Sequence, residues 1–400
     1  MKIVCVGGGP AGLYFAILAK LGNSRHDVTV VERNPRGATY GWSVTFAENF
    51  LDDLYRNDPV SAAAVRSEAM LWGRQVVLVG AQQPVHLGGK YGYSINRTRM
   101  LDLLTARAEQ LGVDVRFDTM VGDAEESAAE LGADAVVAAD GAGSLVRMRH
   151  AEHFGTTIDP GRNPYVWLGT PRSFDAFTFA FEHTPAGLVW FYAYPSSDDA
   201  STCIVECSPE TWTGLGLDEL APAAGIELMA EIFARPLAGA GLLAPAAGLG
   251  DAPWGRFREV RNRTWRRGNL VLMGDAAHTT HFGVGAGTVL AVEDAIALAE
   301  VLPARVDDLP AALTAYDTGR RATLGPVQDM ARRSMQFFER LDIGQGDDPV
   351  RFAYSLLDRR GDQPAWQYQL HRATQINSVR ELRRQITSAR RMVRTARRRP

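Results

Sequence analysis

Cysteine is scarce in this chain, which has only three in 400 residues: Cys5, Cys203 and Cys207. So few cysteines at such irregular spacing exclude a disulfide framework. Cys203 and Cys207 would make half of a metal site, but the sequence has no second pair to complete it. We therefore expect three packed free thiols and a reducing, cytoplasmic location.

Long apolar runs and a strong charge imbalance are also absent. No uninterrupted apolar stretch approaches the ~20 residues of a membrane span. Gly7, Gly8, Gly9 and Pro10 interrupt the N-terminal run that would otherwise resemble a signal peptide. The net charge of -3 argues against a nucleic-acid partner. What remains is an ordinary globular composition, 46% hydrophobic and 22% charged, in a chain long enough for several structural units.

The N-terminus carries a dinucleotide-binding pattern. Residues 3–6 indicate a buried strand, and Gly7, Gly9 and Gly12 form G-x-G-x-x-G where a helical apolar run begins. A second predicted strand ends at Glu32, 20 residues after Gly12. Glycines let the backbone approach a pyrophosphate, the helix N-terminus supplies N–H groups, and the acid accepts from ribose hydroxyls. An acidic residue at this point favours an unphosphorylated ribose, as in FAD or NAD.

Two further strand-to-turn segments follow in the chain. ADAVVAADG ends a predicted strand at Asp140 and Gly141, and NLVLMGDAAH ends another at Gly274 and Asp275, before a predicted helix over residues 286–302. A G-x-G-x-x-G followed by DG and then by GD resembles the group A flavoprotein monooxygenases. These are the aromatic hydroxylases related to p-hydroxybenzoate hydroxylase. The resemblance spans residues 1–330.

That resemblance implies an α/β fold, with a Rossmann-like FAD-binding domain of the p-hydroxybenzoate hydroxylase type, an inserted antiparallel-sheet substrate domain and C-terminal helices. Alternating apolar and polar residues in the middle of the chain support the inserted sheet. In such a sheet Trp190, Phe191, Tyr192 and Tyr194 are expected to be core residues. The implied domains are residues 1–72, 96–164 and 254–330 for FAD, 73–95 and 165–253 for substrate, and 331–400 for the C-terminal helical region.

The resemblance also implies which residues hold FAD. The glycine fingerprint binds the pyrophosphate, the GD aspartate bonds the ribityl chain, and the DG segment takes part in FAD and NAD(P)H binding. Arg97 matches the family arginine that reaches the FAD phosphates, although Arg99 is an adjacent candidate. NADH or NADPH is implied as a transient co-substrate, and the sequence does not choose between them. The predicted cofactor-binding set is Gly7, Gly9, Gly12, Glu32, Arg33, Arg97, Asp140, Asp275, Gly285, Gly287 and Thr288.

Three segments narrow the resemblance: YGWSVTF, FDAFTFAFEH and AYPSSDDASTCIVECSPETW. With HFGVGAGT, in which His281 and Phe282 replace the prolines of the general family pattern, they are similar to the salicylyl-CoA 5-hydroxylase and aminobenzoyl-CoA monooxygenase branch. The violacein-pathway hydroxylase is more loosely similar. The implied activity is NAD(P)H- and O2-dependent hydroxylation of an electron-rich ring, foremost an aryl-CoA thioester such as salicylyl-CoA, hydroxylated at position 5 to a gentisyl-CoA type product. A hydroxylase of an indole, tryptophan-derived or carrier-bound aromatic metabolite is the alternative.

Two histidines in the GDAAHTTH segment raise the question of a metal site. A metal needs three or four converging ligands, and the sequence offers no partner cluster for His278 and His281. The resemblance makes His278 a structural member of the turn. His281 is either a polar loop residue packed against the flavin or a base for the substrate ring. Trp42, Val44, His281 and Phe282 form the predicted substrate-binding set, although Trp42 is equally well explained as core.

The C-terminal residues 379–400 hold nine arginines against one glutamate. A solvated helix, a phosphate-binding patch for CoA or a carrier, and an oligomer or nucleic-acid contact are the competing interpretations. A homodimer through the C-terminal helices is compatible with the sequence, without a clear heptad to support it. A non-enzymatic flavin-binding sensor is disfavoured by the complete set of flavin motifs, and no WxWxIP motif of the flavin-dependent halogenases is present.

Overall fold

The computed structural model describes residues 1–39, 41–88, 91–121, 132–244, 254–302, 306–344 and 346–359. The strands are β1 (Lys2–Val6), β2 (Asp27–Val31), β3 (Ser43–Phe46), β4 (Met70–Trp72), β5 (Gln75–Val79), β6 (Val85–Leu87), β7 (Gly92–Asn96), β8 (Asp114–Arg116), β9 (Ala135–Ala138), β10 (Thr157–Thr170), β11 (Phe177–Thr184), β12 (Gly187–Pro195), β13 (Ser201–Cys207), β14 (Gly255–Arg261), β15 (Arg266–Arg267) and β16 (Leu270–Leu272).

Helices connect and cover these strands. The α-helices are α1 (Pro10–Gly22), α2 (Glu48–Asn57), α3 (Pro59–Glu68), α4 (Arg97–Gln110), α5 (Leu145–Arg149), α6 (Ala151–Phe154), α7 (Pro209–Gly214), α8 (Pro222–Ile232), α9 (Gly287–Val301), α10 (Leu309–Glu339) and α11 (Pro349–Asp358). Short 3-10 turns occupy Gly274–Ala276, Phe282–Val284 and Val306–Asp308.

The chain forms two compact units, Met1–Asp342 and Ile343–Pro400. In the second unit, the side chain of Asp348 caps α11 by accepting the Val350 N–H at 2.9 Å. The arginine-rich residues 379–400 lie outside the described residues, so their role stays a prediction.

A six-stranded sheet carries the dinucleotide pattern, in the order β15-β16-β9-β1-β2-β8. All of its pairings are parallel except that of β15 with β16. Helix α1 is apolar on almost every side and buried from Ala11 to Ala19, because it packs between this sheet and α4 and α9. This confirms the predicted Rossmann-like part of the fold and its strand–turn–helix start.

A seven-stranded sheet forms the middle of the chain, in the order β14-β10-β13-β12-β11-β5-β6. Its pairings are antiparallel except that of β11 with β5. The predicted antiparallel sheet is therefore present. The predicted FAD-binding segment 254–330 includes β14, yet β14 pairs with β10 in this sheet. The predicted boundary between residues 330 and 331 falls inside α10. The full domain division remains a prediction.

The two faces of the seven-stranded sheet have different neighbours. One face packs on α8 in a separate apolar core that contains Val166, Phe191 and Phe233, with the Phe191 and Phe233 rings 4.9 Å apart. Alternation along the strands directs Tyr165, Tyr192 and their neighbours to the opposite face. This aromatic face is the side that meets the loop after β16, as described below.

A three-stranded antiparallel sheet, β3-β7-β4, is built from strands between Ser43 and Asn96. Strand β7 leads directly into α4, so that its last residue, Asn96, caps the helix by accepting the Arg99 N–H at 3.2 Å. The three cysteines are free and buried, as the sequence predicted. Among the described residues, none of the helices has the length and apolar character that crossing a membrane requires.

Candidate flavin and substrate site

Four predicted cofactor segments meet at one edge of the six-stranded sheet. Strands β1, β2, β9 and β16 are parallel neighbours, and their carboxyl ends lead into Gly7, Glu32, Asp140 and Asp275. Backbone hydrogen bonds continue the pairing past the strand ends. The Gly7 N–H donates to Val31 O at 2.8 Å, Ala139 N–H to Val6 O at 2.8 Å, and Met273 N–H to Ala138 O at 2.9 Å.

The glycine turn has no room for side chains at two of its three fingerprint positions. Gly7 has a φ of +112°, and a Cβ there would lie 2.2 Å from Ala139 O; a Cβ on Gly12 would lie 2.1 Å from Gly7 O. Gly9 has no atom within 4 Å of such a Cβ. It caps α1 without a side-chain hydrogen bond, so the first N–H groups of the helix are available to an anion.

Glu32 is held in place by backbone and side-chain donors. Its Oε2 accepts the Gly8 N–H at 2.8 Å, and its Oε1 accepts the Asn34 N–H at 2.9 Å and the Asn34 amide at 2.7 Å. The carboxylate therefore lies directly beside the glycine turn, as a ribose-binding acid requires. Arg33 follows it as an exposed residue. The cofactor contacts of both residues stay predictions.

The DG and GD turns are fastened together by Arg147. This residue is 1% exposed and donates to Ala142 O at 2.6 Å and to Ala276 O at 2.9 Å. Asp140 accepts the Leu145 N–H at 2.9 Å through one carboxyl oxygen, and its other oxygen is buried without a partner. Burial raises the pKa of Asp140. The sequence showed Arg147 in this segment but not that it is buried, because its carbonyl partners include residues 128 and 129 positions away.

Arg97, and not Arg99, is close enough to the GD aspartate for the two charges to interact. Burial lowers the pKa of the Arg97 guanidinium, while the charge of Asp275 raises it, and the Arg97 Nε is buried without a hydrogen-bond partner. Asp275 keeps solvent exposure, yet enough protein surrounds its carboxyl group that this burial raises its pKa. Arg99 instead donates to Glu68 at 2.9 Å on the surface.

These residues fit FAD. The unpartnered Arg97 Nε is a donor of the kind that a phosphate oxygen accepts from, and the unpartnered Asp140 oxygen is an acceptor for a hydroxyl. A backbone cradle closed to Cβ atoms at Gly7 and Gly12 adds a surface that a pyrophosphate can approach.

His278 belongs to a buried ion-pair network, which settles one half of the histidine question. Its Nε2 lies 2.7 Å from Asp294 Oδ2, and Asp294 also accepts the Gly274 N–H at 2.9 Å and the Arg320 Nε–H at 2.7 Å. The Trp265 ring stacks on the imidazole at 5.0 Å. Although burial opposes it, His278 and Arg320 lower the pKa of Asp294. His278 therefore positions the turn, as predicted.

His281 is buried in the loop that follows. Its Nδ1 accepts the Gly283 N–H at 3.2 Å, so in the neutral ring the proton is on Nε2. The imidazole packs against the Phe257 ring at 5.2 Å and the Phe282 ring at 4.1 Å. The loop residue thus has a fixed ring orientation beside an aromatic cluster.

The glycines of this loop lead into an uncapped helix. Gly285 has a φ of +65°, and a Cβ there would meet Thr45 Oγ1 at 2.8 Å. Helix α9 begins at Gly287 without a side-chain cap, and Thr288 lies in its first turn. Backbone N–H groups at this helix start can stabilise a negative charge.

An aromatic wall faces the loop from the seven-stranded sheet. The Phe282 ring lies 4.6 Å from Tyr165, 5.8 Å from Tyr192 and 6.3 Å from Trp167. Trp42 packs on β10, where a Cβ on Gly169 would lie 2.3 Å from its ring. Val44, on β3, is buried.

Trp190, Tyr192 and Tyr194 are buried, as expected of sheet core, but they lie on this site-facing side, whereas Phe191 is in the opposite core. The alternation in the sequence indicates that Phe191 points away from its neighbours Trp190 and Tyr192. It does not indicate which of the two sheet faces meets the loop of His281 and Phe282.

Comparison with known proteins decides the family. The model of the FAD binding domain family matches residues 1–197 and 250–331. A salicyloyl-CoA 5-hydroxylase of Streptomyces sp is 36% identical, with 90% of this chain and 70% of that protein covered. A 3-hydroxy-4-methyl-anthranilyl-[aryl-carrier protein] 5-monooxygenase of Streptosporangium sibiricum is 35% identical, with 92% and 96% covered. The chain belongs to the FAD-dependent aromatic monooxygenases.

More distant proteins agree with this assignment. The protodeoxyviolaceinate monooxygenase of Chromobacterium violaceum is 29% identical to this monooxygenase, with 91% of this chain and 96% of that protein covered. A crystal structure of 2-methyl-3-hydroxypyridine-5-carboxylic acid oxygenase shares the fold, with a TM-score of 0.66 and 20% identity over 90% of this chain and 93% of that one. The monooxygenase binds FAD, and NADH or NADPH is the co-substrate typical of its family.

Proposed function

We propose that this monooxygenase hydroxylates the ring of an aryl thioester, with salicylyl-CoA as the first candidate and O2 and NAD(P)H as co-substrates. The relatives at 36% and 35% identity are named for aromatic rings carried by CoA or by a carrier protein. The observation that carries the proposal is the aromatic face of the seven-stranded sheet, which meets Phe282 in the loop that follows Asp275, the aspartate proposed to bind the flavin.

Each element of the site has a physical role in this reaction. When bound, FAD takes electrons from NAD(P)H, activates O2 and supplies an electrophilic oxygen. Gly7, Gly9 and Gly12 would hold its pyrophosphate, with Arg97 at the phosphates and Asp275 at the ribityl chain. The N–H groups between Gly285 and Thr288 would stabilise negative charge on the flavin ring. The buried surroundings would exclude water.

The substrate ring would lie between the flavin and the aromatic wall. Phe282, Trp42 and Val44 are the proposed apolar contacts, because Phe282 already packs on three sheet aromatics and Trp42 covers β10. His281 is the proposed hydrogen-bond partner or base for the ring hydroxyl or amino group. With the proton on Nε2, as its Gly283 hydrogen bond requires, the ring donates to the substrate; a role as base requires the proton on Nδ1 and the loss of the Gly283 contact.

The carrier and the assembly are proposed on sequence grounds. The nine arginines of residues 379–400 could bind the phosphates of CoA. This is one of the three interpretations of the tail given above. A homodimer and a cytoplasmic location, the latter supported by three free buried cysteines, belong to the same proposal.

The test is to purify the yellow protein and to follow NADH and NADPH oxidation with salicylyl-CoA, aminobenzoyl-CoA, the free acids and tryptophan. We expect strong stimulation by thioesters alone, together with a product heavier by one oxygen in mass spectrometry. Stimulation by free indoles would move the assignment to the alternative, a hydroxylase of an indole-derived metabolite, which the violacein-pathway relative favours. Absence of bound flavin would refute both.

A further inference from the structure

A carboxylate is buried on the aromatic face of the seven-stranded sheet. Glu206, on β13, is 1% exposed. Its Oε2 accepts the Tyr192 hydroxyl at 2.6 Å, and its Oε1 accepts the Asn163 amide at 2.8 Å. The Trp190 Nε1–H donates to the Tyr192 oxygen at 3.1 Å. A carboxylate buried this deeply is unfavourable unless it is hydrogen-bonded, and none of the roles proposed above uses it.

This network adjoins the proposed substrate site. The Tyr192 ring meets Phe282 edge-on at 5.8 Å and an interplanar angle of 83°. Tyr165, which pairs with Glu206 across β10 and β13, also contacts Phe282, at 4.6 Å. Two neighbours of the carboxylate therefore touch the ring that is proposed to contact the substrate.

The network can satisfy Glu206 in either protonation state. Asn163 is 5% exposed, and its Oδ1 is buried without a hydrogen-bond partner. In the present orientation, its amide nitrogen donates to a carboxylate. If Glu206 takes up a proton on Oε2, that O–H donates back to the Tyr192 oxygen, while Oε1 still accepts the Asn163 amide.

Glu206 is also the group in this network whose charge changes near neutral pH. Burial raises its pKa to about 7, against the hydrogen bonds that it accepts, and the charge of Glu339 on α10 raises it further. Burial raises the pKa values of its titratable neighbours Tyr165 on β10 and Cys207 on β13, which therefore stay protonated. Tyr192 on β12, which donates to Glu206 and contacts Phe282, connects the carboxylate to the proposed substrate site.

We propose that Glu206, acting through Tyr192, takes up the proton of the ring hydroxyl group of the substrate, an inference that rests on the hydroxylation proposed above. The substrate O–H bond breaks and its proton passes to the Tyr192 oxygen, while the Tyr192 proton passes to Glu206 Oε2. A neutral acid and an anionic ring result, without oxidation or reduction. The anionic ring is the better target for an electrophilic oxygen, and return of the proton reverses both transfers.

The test compares FAD-loaded wild type with Glu206→Gln and Tyr192→Phe. Difference absorption spectra of bound salicylyl-CoA between pH 5.5 and 9 report the ring anion independently of turnover. In wild type we expect the anion to appear as pH rises through about 7, because only the carboxylate form accepts the proton. Both variants should lose this midpoint and lose ~10²-fold in hydroxylation rate at pH 8. Glu182→Gln, which removes a carboxylate paired with Arg235 elsewhere on β11, is the matched control.

Separate outcomes distinguish the two proposals. A wild type that hydroxylates aromatic thioesters while Glu206→Gln keeps the wild-type midpoint would overturn the role of Glu206. Loss of the midpoint in His281→Gln and its retention in Glu206→Gln would move the proton acceptor to His281. A wild type that carries FAD but hydroxylates no aromatic thioester would instead overturn the proposed function. If Glu206→Gln fails to fold, Tyr192→Phe, which leaves the carboxylate in place, decides the question.

Discussion

At the residue scale, identical side chains acquire different roles from their surroundings. His278 and His281 are three positions apart, yet the first is paired with Asp294 and stacked on Trp265, whereas the second lies against Phe257 and Phe282. The spacing predicted that both are in one loop. It did not predict their partners, because Asp294 comes from α9 and Phe257 from β14.

Arg97 and Arg99 are a second pair of identical side chains with different surroundings, and their roles can be tested by substitution. We expect Arg97→Met to weaken FAD binding by ~10-fold to 100-fold, since a buried charge-assisted hydrogen bond to a phosphate contributes about 1.5–3 kcal/mol. Arg99→Met removes only an exposed pair with Glu68 and should leave FAD affinity unchanged. Fluorescence titration of the flavin-free proteins measures both constants. Equal losses in the two variants would contradict the assignment of Arg97.

At the element scale, the first helix was well predicted because its signals are local. The glycine fingerprint, the apolar run and the acid after β2 all lie within the first 32 residues. The seven-stranded sheet was predicted from alternation, but its order was not. Alternation specifies that side chains point to two faces, whereas the pairing of β5 with β11 depends on residues about 100 positions apart in the chain.

Helix α1 offers a matched pair of glycines for a test of the cradle. A Cβ on Gly12 would lie 2.1 Å from Gly7 O, whereas a Cβ on Gly22, in the same helix, meets nothing within 4 Å. We expect Gly12→Ala to lose bound FAD and Gly22→Ala to retain it, as judged by flavin absorbance per mole of protein after gel filtration. A flavin-replete Gly12→Ala protein would show that the turn can relax and would refute the tight cradle.

At the scale of the whole molecule, FAD should stabilise the fold because its site joins distant parts of the chain. The predicted ligands run from Gly7 to Thr288, and Arg147 already links the DG and GD turns. We expect FAD at 100 times its Kd to raise the free energy of unfolding by about 2.7 kcal/mol, and flavin removal to lower the Tm correspondingly.

The second core supplies the control for that measurement. Phe233→Ala removes a fully buried ring from the core under the seven-stranded sheet, at about 3–5 kcal/mol. Because this core lies on the sheet face away from the aromatic wall, the variant should have a lower Tm than wild type. The rise in Tm on addition of FAD should be the same as in wild type. An FAD increment that disappears in Phe233→Ala would indicate that the second core and the cofactor site are coupled.

The sequence by itself determined the motifs whose conformation depends on neighbouring residues: the glycine turn, the strands that end in DG and GD, and the alternation of the inserted sheet. Only the tertiary structure decided which arginine interacts with Asp275, which histidine is hydrogen-bonded to Asp294, which sheet face meets the loop, and that Glu206 is buried on that face. The physical reason is that backbone conformation responds to local residue type, whereas burial, charge and hydrogen bonding depend on segments that meet only after folding.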